Sequence, residues 1–187
     1  MPRIITGTAG GIHLVTNQHE LMRPTTDRLK EAVFSSLQGK LESGSLNNFL
    51  DLFSGCGQIG LEAKSRGVEN VVLVEQNKQA VNIIRKNMEK TGLTVKLLPF
   101  NVKRALRQLS NQDRQFDIIY FDPPWRELND FWWEEEFKIH DLLEDDGLVM
   151  IEHSKKIEPL INPQLWSVVK HKNYGQNTLL VLEQKKV

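Results

Sequence analysis

The sequence is short of what would build a disulfide scaffold, a metal centre or a membrane span. Of its 187 residues one is cysteine, Cys56, which excludes an internal disulfide and fits a reducing compartment. His13, His19, His140, His153 and His171 show no metal-ligand spacing, so no metal is implied. No apolar run approaches the roughly 18 residues of a membrane helix, and Met1 opens no basic-then-apolar leader. The expectation is a cytoplasmic protein. Net charge is lacking too: 24 Lys plus Arg balance 24 Asp plus Glu. That total hides strong segregation. Lys78 to Arg114 carries nine basic residues against two acidic, Lys155 to the end six against two, and Asp122 to Asp146 ten acidic against two basic. A basic face beside an acidic one is compatible with a polyanionic partner and equally with solvated helix faces.

What is present is an alternation of Val/Ile/Leu-rich strands with amphipathic helices, the pattern of a parallel sheet covered by helices. Phe49 to Phe53 reads as the first strand, followed by Ser54-Gly55-Cys56-Gly57-Gln58 and a helix from about Ile59 to Gly67. Val71 to Glu75 and Val95 to Leu98 read as the next strands. Between them lies a helix capped by Asn77, with Ala80, Val81, Ile84 and Met88 on one face and Gly92 as its stop. A helix over Val102 to Leu109 precedes a fourth strand, Phe116 to Phe121, which Pro123-Pro124 terminates because proline cannot donate to a ladder. Gly147 to Glu152 forms a fifth strand, and Trp166 to His171 with Thr178 to Glu183 forms an antiparallel hairpin. Ahead of this core, Arg3 to Leu14 suggests an irregular strand pair, and Thr26 caps a helix buried through Leu29, Val33 and Leu37. The organisation is one domain over 1–187: an N-terminal appendage, 1–48, on a Rossmann-like α/β core, 49–187, with a seven-stranded, mostly parallel sheet.

Gly55, Gly57 and Gly60 fit a dinucleotide fingerprint, and Glu75 lies 18 residues after Gly57, where a ribose-binding acid belongs. Taken alone, the loop suits a nicotinamide or flavin dinucleotide as well as another adenosine cofactor. Asp51 separates them. A carboxylate at the strand end repels a pyrophosphate but pairs with the ammonium of an amino acid. S-adenosylmethionine carries that ammonium, a ribose diol and no phosphate. Glu75 then accepts from the ribose hydroxyls, Asn101 from the adenine amino group, and the Val102 amide meets a ring nitrogen.

Asp122-Pro123-Pro124-Trp125 directly follows the fourth strand, at the sheet edge where ligands bind in such folds. An amino group conjugated to a base is a poor nucleophile because its lone pair is delocalised. Accepting its N–H bonds at Asp122 and the Pro123 carbonyl localises that pair. The prolines fix the backbone, and Trp125 offers a stacking face.

These residues carry a resemblance. The chain resembles class I S-adenosylmethionine-dependent methyltransferases and, more closely, the guanine-N2 methyltransferases that modify 16S ribosomal RNA of the small subunit. The match includes Arg3-Ile4-Ile5, Arg23-Pro24-Thr25-Thr26-Asp27-Arg28, Asp51-Leu52-Phe53-Ser54-Gly55, Gly60-Leu61-Glu62-Ala63, Glu75, Asp122-Pro123-Pro124 and Tyr174-Gly175. The resemblance implies a cofactor site at Asp51, Phe53, Ser54, Gly55, Gly57, Glu75, Asn101 and Val102. It implies a reaction site at Asp122, Pro123, Pro124 and Trp125, RNA contacts at Arg3, Arg23, Thr25, Arg28 and Tyr174, and as partner 16S rRNA within a partly assembled small subunit. Asn101 stands where the family has aspartate, Trp125 where it has tyrosine, and Ile12-His13 where basic residues are common. Three alternatives remain open on sequence alone. They are an N-methyltransferase acting on another nitrogen such as adenine N6 in DNA, an NAD-dependent dehydrogenase, and a non-catalytic RNA-binding protein.

Overall fold

The computed structural model describes residues 2–16, 26–124 and 128–185. Their seven strands form one sheet: β1 (Asn48–Leu52), β2 (Asn70–Val74), β3 (Lys96–Leu98), β4 (Phe116–Phe121), β5 (Leu143–Ser154), β6 (Trp166–Tyr174) and β7 (Asn177–Gln184). The order is β3-β2-β1-β4-β5-β7-β6, parallel through β5, with β7 antiparallel to both neighbours. The strand sequence reverses direction across β1 and β4, so the carboxyl ends of those two strands flank a crevice. The hairpin between β6 and β7 turns at Gly175, φ 68, which brings Tyr174 to that same edge.

The helices are α1 (Asp27–Ser36), α2 (Gln38–Glu42), α3 (Gln58–Ser65), α4 (Lys78–Thr91), α5 (Val102–Ser110) and α6 (Leu128–Asp141). Alternation along the strands divides the core in two. Leu73, Ile118, Tyr120, Met150 and Val181 face a cluster completed by α1, α3 and the N-terminal residues Ile4, Ala9 and Leu14. Val72, Ile119, Phe121, Ile151 and Leu182 face a second cluster completed by α5 and α6. Among the described residues no helix is long and apolar enough to cross a membrane.

Local chemistry explains the boundaries. The Asn77 side chain accepts from the Gln79 and Ala80 amides at 2.9 and 3.2 Å, and Gly92 at φ 69 closes α4. The Thr26 hydroxyl accepts the Leu29 amide to start α1. Arg3 and His13 form an antiparallel bridge, the expected strand pair. Two features depart from the sequence reading. The acidic stretch holds α6, whose Leu128, Trp132 and Ile139 are buried although Glu134, Glu135 and Glu136 interrupt the apolar face. And β5 starts four residues before Gly147, at Leu143, with a register shift opposite Phe116 and Ile118.

Gly60 shows how tightly α3 lies on the sheet. A β-carbon there would come within 2.1 Å of Leu73 Cδ2, 3.2 Å of Val71 Cγ1 and 3.3 Å of Asp51 Oδ2. Gly60→Ala is therefore expected to cost about 1–3 kcal/mol through overpacking, read as a lower midpoint in urea at unchanged slope.

Candidate functional site

After β1 the chain turns through Phe53 (φ 63), Gly55 (φ 57) and Gly57 (φ 80). Positive φ is costly at phenylalanine. The half-buried Phe53 ring is wedged edge-on against Phe121 and Phe131, centroids 5.5 and 5.4 Å away. The Ser54 hydroxyl donates to the Asp51 carbonyl at 2.7 Å and accepts the Val74 amide at 3.0 Å. Ser54, expected beside the cofactor, engages its side chain with the backbone of β1 and β2 and so sets the shape of the loop.

Three of the carboxylates expected from the sequence stand at this edge. Asp51 is 2% exposed, and its Oδ2 accepts the Gly60 amide at 3.0 Å. Burial pushes the Asp51 carboxyl up to about 8; the Gly60 N–H opposes the shift and the charge of Glu75 adds to it. Such a group is poised for a cation. Glu75 braces the loop: its Oε2 accepts from Gly55 N–H at 2.9 Å and its Oε1 from Asn77 N–H at 2.7 Å. Each oxygen keeps a further lone pair for a hydroxyl donor. Asp122 follows the last residue of β4, and burial, with the charges of Glu152 and Asp51, pushes its carboxyl well above the usual carboxylate range.

Pro123 is buried and Pro124 exposed, while Trp125 lies outside the described residues. The structure thus brings Asp51, Phe53, Gly55, Gly57, Glu75, Asp122 and Pro123 to one sheet edge. Asn101 stands at the same edge as the N-cap of α5, accepting the Arg104 amide at 2.8 Å, with Val102 buried beside it. The Asn101 side-chain oxygen is thus already engaged in capping a helix. Cys56 is buried with its thiol pushed up to about 11, the state of a packing residue rather than a nucleophile.

Of the residues expected to touch RNA, Arg3 pairs with Asp27 at 3.2 Å, both partners about half exposed, and Arg28 lies on α1. Tyr174 is half-buried at the hairpin, with Lys172 Nζ 5.8 Å from its ring centre. Arg23 and Thr25 lie outside the described residues.

Sequence reasoning missed the side chains that moor the N-terminal segment to the loop. Glu62, fully buried on α3, accepts the Ile5 and Thr6 amides at 2.6 and 3.0 Å and pairs with Arg66 at 2.7 Å. The buried Lys30 ammonium reaches Glu62 at 3.8 Å and donates to the Arg3 carbonyl. Asn87 bonds both backbone groups of Val15 and donates to the Cys56 carbonyl at 2.9 Å. It also missed Glu152, an acid that directly follows the apolar run 148–151 of β5 and is 2% exposed. Its position in that strand was the available signal.

The sequence pattern of the family described as "Conserved hypothetical protein 95" matches residues 2–183. "Ribosomal RNA small subunit methyltransferase D" of Haemophilus influenzae is 31% identical over 179 residues, 92% of this chain and 89% of its own length. The protein of the same name from Escherichia coli K12 is 29% identical over 185 residues, 93% of this chain and 85% of its own length. The solved structure of a hypothetical protein from Thermus thermophilus superposes with a TM-score of 0.84 at 31% identity, covering 98% of this chain and 99% of that one.

Proposed function

Since the chain belongs to the Conserved hypothetical protein 95 family, the family of the small-subunit ribosomal RNA methyltransferases, we propose that it methylates 16S rRNA at the exocyclic N2 of a guanine. The observation that carries this reading is a pair of carboxylates, the buried Asp51 and the half-buried Asp122, at the ends of adjacent parallel strands. One suits the ammonium of an amino-acid cofactor and the other suits an amine substrate.

The residues fit S-adenosylmethionine. Asp51 meets the ammonium, Glu75 the ribose hydroxyls, and the backbone at Gly55 and Gly57 lets the ligand approach closely. Asn101 and Val102 stand at the adenine end. Bound there, the cofactor supplies a methyl group on a sulfonium. Asp122 and the Pro123 carbonyl accept the two N–H bonds of the target amine, so its lone pair points at the donor rather than into the ring. Pro124 and Pro123 hold that backbone rigid, and Trp125 stacks on the base. Proximity at one sheet edge supplies much of the acceleration, with no covalent enzyme intermediate. The guanine must be unpaired or flipped to enter. Arg3, Arg23, Thr25, Arg28 and Tyr174 hold the RNA, which is presented by a partly assembled subunit in the cytoplasm. An NAD-dependent dehydrogenase leaves Asp51 and Asp122 without roles.

The direct test is nucleoside mass spectrometry of 16S rRNA, from cells lacking the gene, after incubation of purified small-subunit particles with the protein and S-adenosylmethionine. N2-methylguanosine is the expected product. Methylation on a ring carbon or ribose oxygen overturns the amine reading, and N6-methyladenosine overturns the base assignment.

Association with RNA is expected to weaken steeply with salt, because each neutralised phosphate releases counterions with a slope of roughly 0.9 in log–log form. Neutralising Arg3, Arg23 and Arg28 together should flatten that slope by about 2–3, measured by filter binding across a salt series. An unchanged slope makes these residues structural.

A further inference from the structure

Beside Asp122 stands a second carboxylate that the proposed reaction leaves unused. Phe121 of β4 is registered with Ile151 of β5, so Asp122 and Glu152 are the next residues on two adjacent strands. Glu152 shares the sheet face of Tyr120 and Met150 and is 2% exposed. Its Oε2 accepts the Tyr120 hydroxyl at 2.5 Å, and its Oε1 accepts from the Asn177 amide on β7. A carboxylate buried to this degree in an apolar face is costly unless its oxygens meet donors. Here both do. Tyr120 is itself buried, and its pairing with Asp51 in the β1–β4 register sets it between Asp51 of β1 and Glu152 of β5.

We propose that Glu152 is a positioning residue for methyl transfer: its carboxylate, held by donors from Tyr120 and Asn177, stands next to Asp122 across the β4–β5 register and makes the Asp122 carboxylate the acceptor of the proton that the amine gives up. This rests on the proposed role of Asp122. As the amine lone pair forms the new N–C bond, the methyl leaves the sulfonium and the sulfur retains that electron pair. One N–H bond then breaks with its electrons staying on nitrogen. The proton goes to an Asp122 oxygen, leaving that side chain neutral and the methylated amine uncharged. No further reactant is needed.

Among the described residues, the charged groups acting on Asp122 are Asp51 from β1 and Glu152 from β5, the latter hydrogen-bonded by the Tyr120 hydroxyl of β4; Glu75, at the end of β2, acts on Asp51. Cofactor binding separates the two neighbours of Asp122. The ammonium neutralises Asp51, so Glu152 is then the carboxylate whose charge still bears on Asp122. Like charges side by side raise proton affinity, and a neutral isostere at 152 removes that effect. Glutamine preserves the shape and an oxygen for Tyr120, while aspartate preserves the charge.

The test compares wild type, Glu152→Gln and Glu152→Asp, each as the full chain, in single-turnover methyl transfer to small-subunit particles across pH 5–9. Glu152→Gln is expected to move the acid limb of the profile down by about one pH unit and to leave S-adenosylmethionine affinity within about twofold. Glu152→Asp restores the limb toward its wild-type position. A limb unmoved in Glu152→Gln with methyl transfer intact overturns the inference and leaves the assignment of Asp122 standing. The second measurement needs no activity. A carbonyl-¹³C aspartate titration follows the Asp122 resonance, assigned by its loss in Asp122→Asn. The Asp122 midpoint is expected to fall in Glu152→Gln, and an unchanged midpoint overturns the inference. Absence of methyl transfer in wild type overturns the proposed function instead, with the resonance still reporting on Glu152. Thermal melts and cofactor titration separate these results from misfolding.

Discussion

Replacement of Asp122 by alanine is expected to cut methyl transfer to small-subunit rRNA by about a hundred- to ten-thousandfold while cofactor affinity stays near its wild-type value. The asymmetry comes from where the group stands. In the proposed reaction Asp122 accepts from the target amine, and that hydrogen bond gains strength as the lone pair localises and positive charge grows on nitrogen. Removing it therefore raises the barrier without weakening ground-state binding in proportion. The ionised form is the one that accepts, and burial with two neighbouring carboxylates raises its proton affinity. Activity should thus be lost as pH falls, along a limb lying above the ordinary carboxylate range, while Asp122→Asn shows a low rate with that limb abolished. Rapid-quench single turnovers, with calorimetry for the cofactor, check both halves. Equal losses in rate and cofactor affinity would place Asp122 in the cofactor site.

The frame around that residue is largely written in local sequence. The α5 face Val102, Ala105, Leu106 and Leu109 is buried as its spacing dictates, β4 has the bounds Phe116–Phe121, and Asn77 and Thr26 cap the helices their chemistry selects. Short-range patterns suffice there because each is decided within a few residues. The buried acids resist the same treatment. An acid in a helix or strand reads as solvated, yet Glu62 and Glu152 are sequestered because partners arrive from 25 to 57 positions away. α6 is obscured for a related reason: Glu135 and Glu136 are buried in the turn after Trp132, so periodicity fails where tertiary packing prevails. Asn101 shows the converse, a residue assigned to a ligand by position that also performs a local task, capping α5.

Asp51→Ala is expected to weaken S-adenosylmethionine binding about ten- to a hundredfold, the loss of one charge-assisted hydrogen bond worth about 1.5–3 kcal/mol. Its pH behaviour gives the sharper check. Burial in the free protein pushes the Asp51 carboxyl up to about 8, far above its ordinary value of 3.8. At pH 6.5 Asp51 in the free protein is therefore mostly neutral. Pairing with an ammonium requires the carboxylate, so binding at that pH should release close to one proton, and affinity should climb toward a tenfold gain per pH unit between 6 and 7. Calorimetry in two buffers of different ionisation enthalpy reads the proton directly. The sign reverses for the empty fold. Because the folded group binds its proton more tightly than the unfolded one, Asp51 contributes stability below about pH 4 that drains away as pH rises toward 8. Asp51→Asn keeps an oxygen for the Gly60 amide and removes the charge, so it should melt higher than wild type at pH 8 without cofactor and bind cofactor worse, with no proton released. A wild-type site that binds with no proton release at pH 6.5 would mean that Asp51 meets no cation.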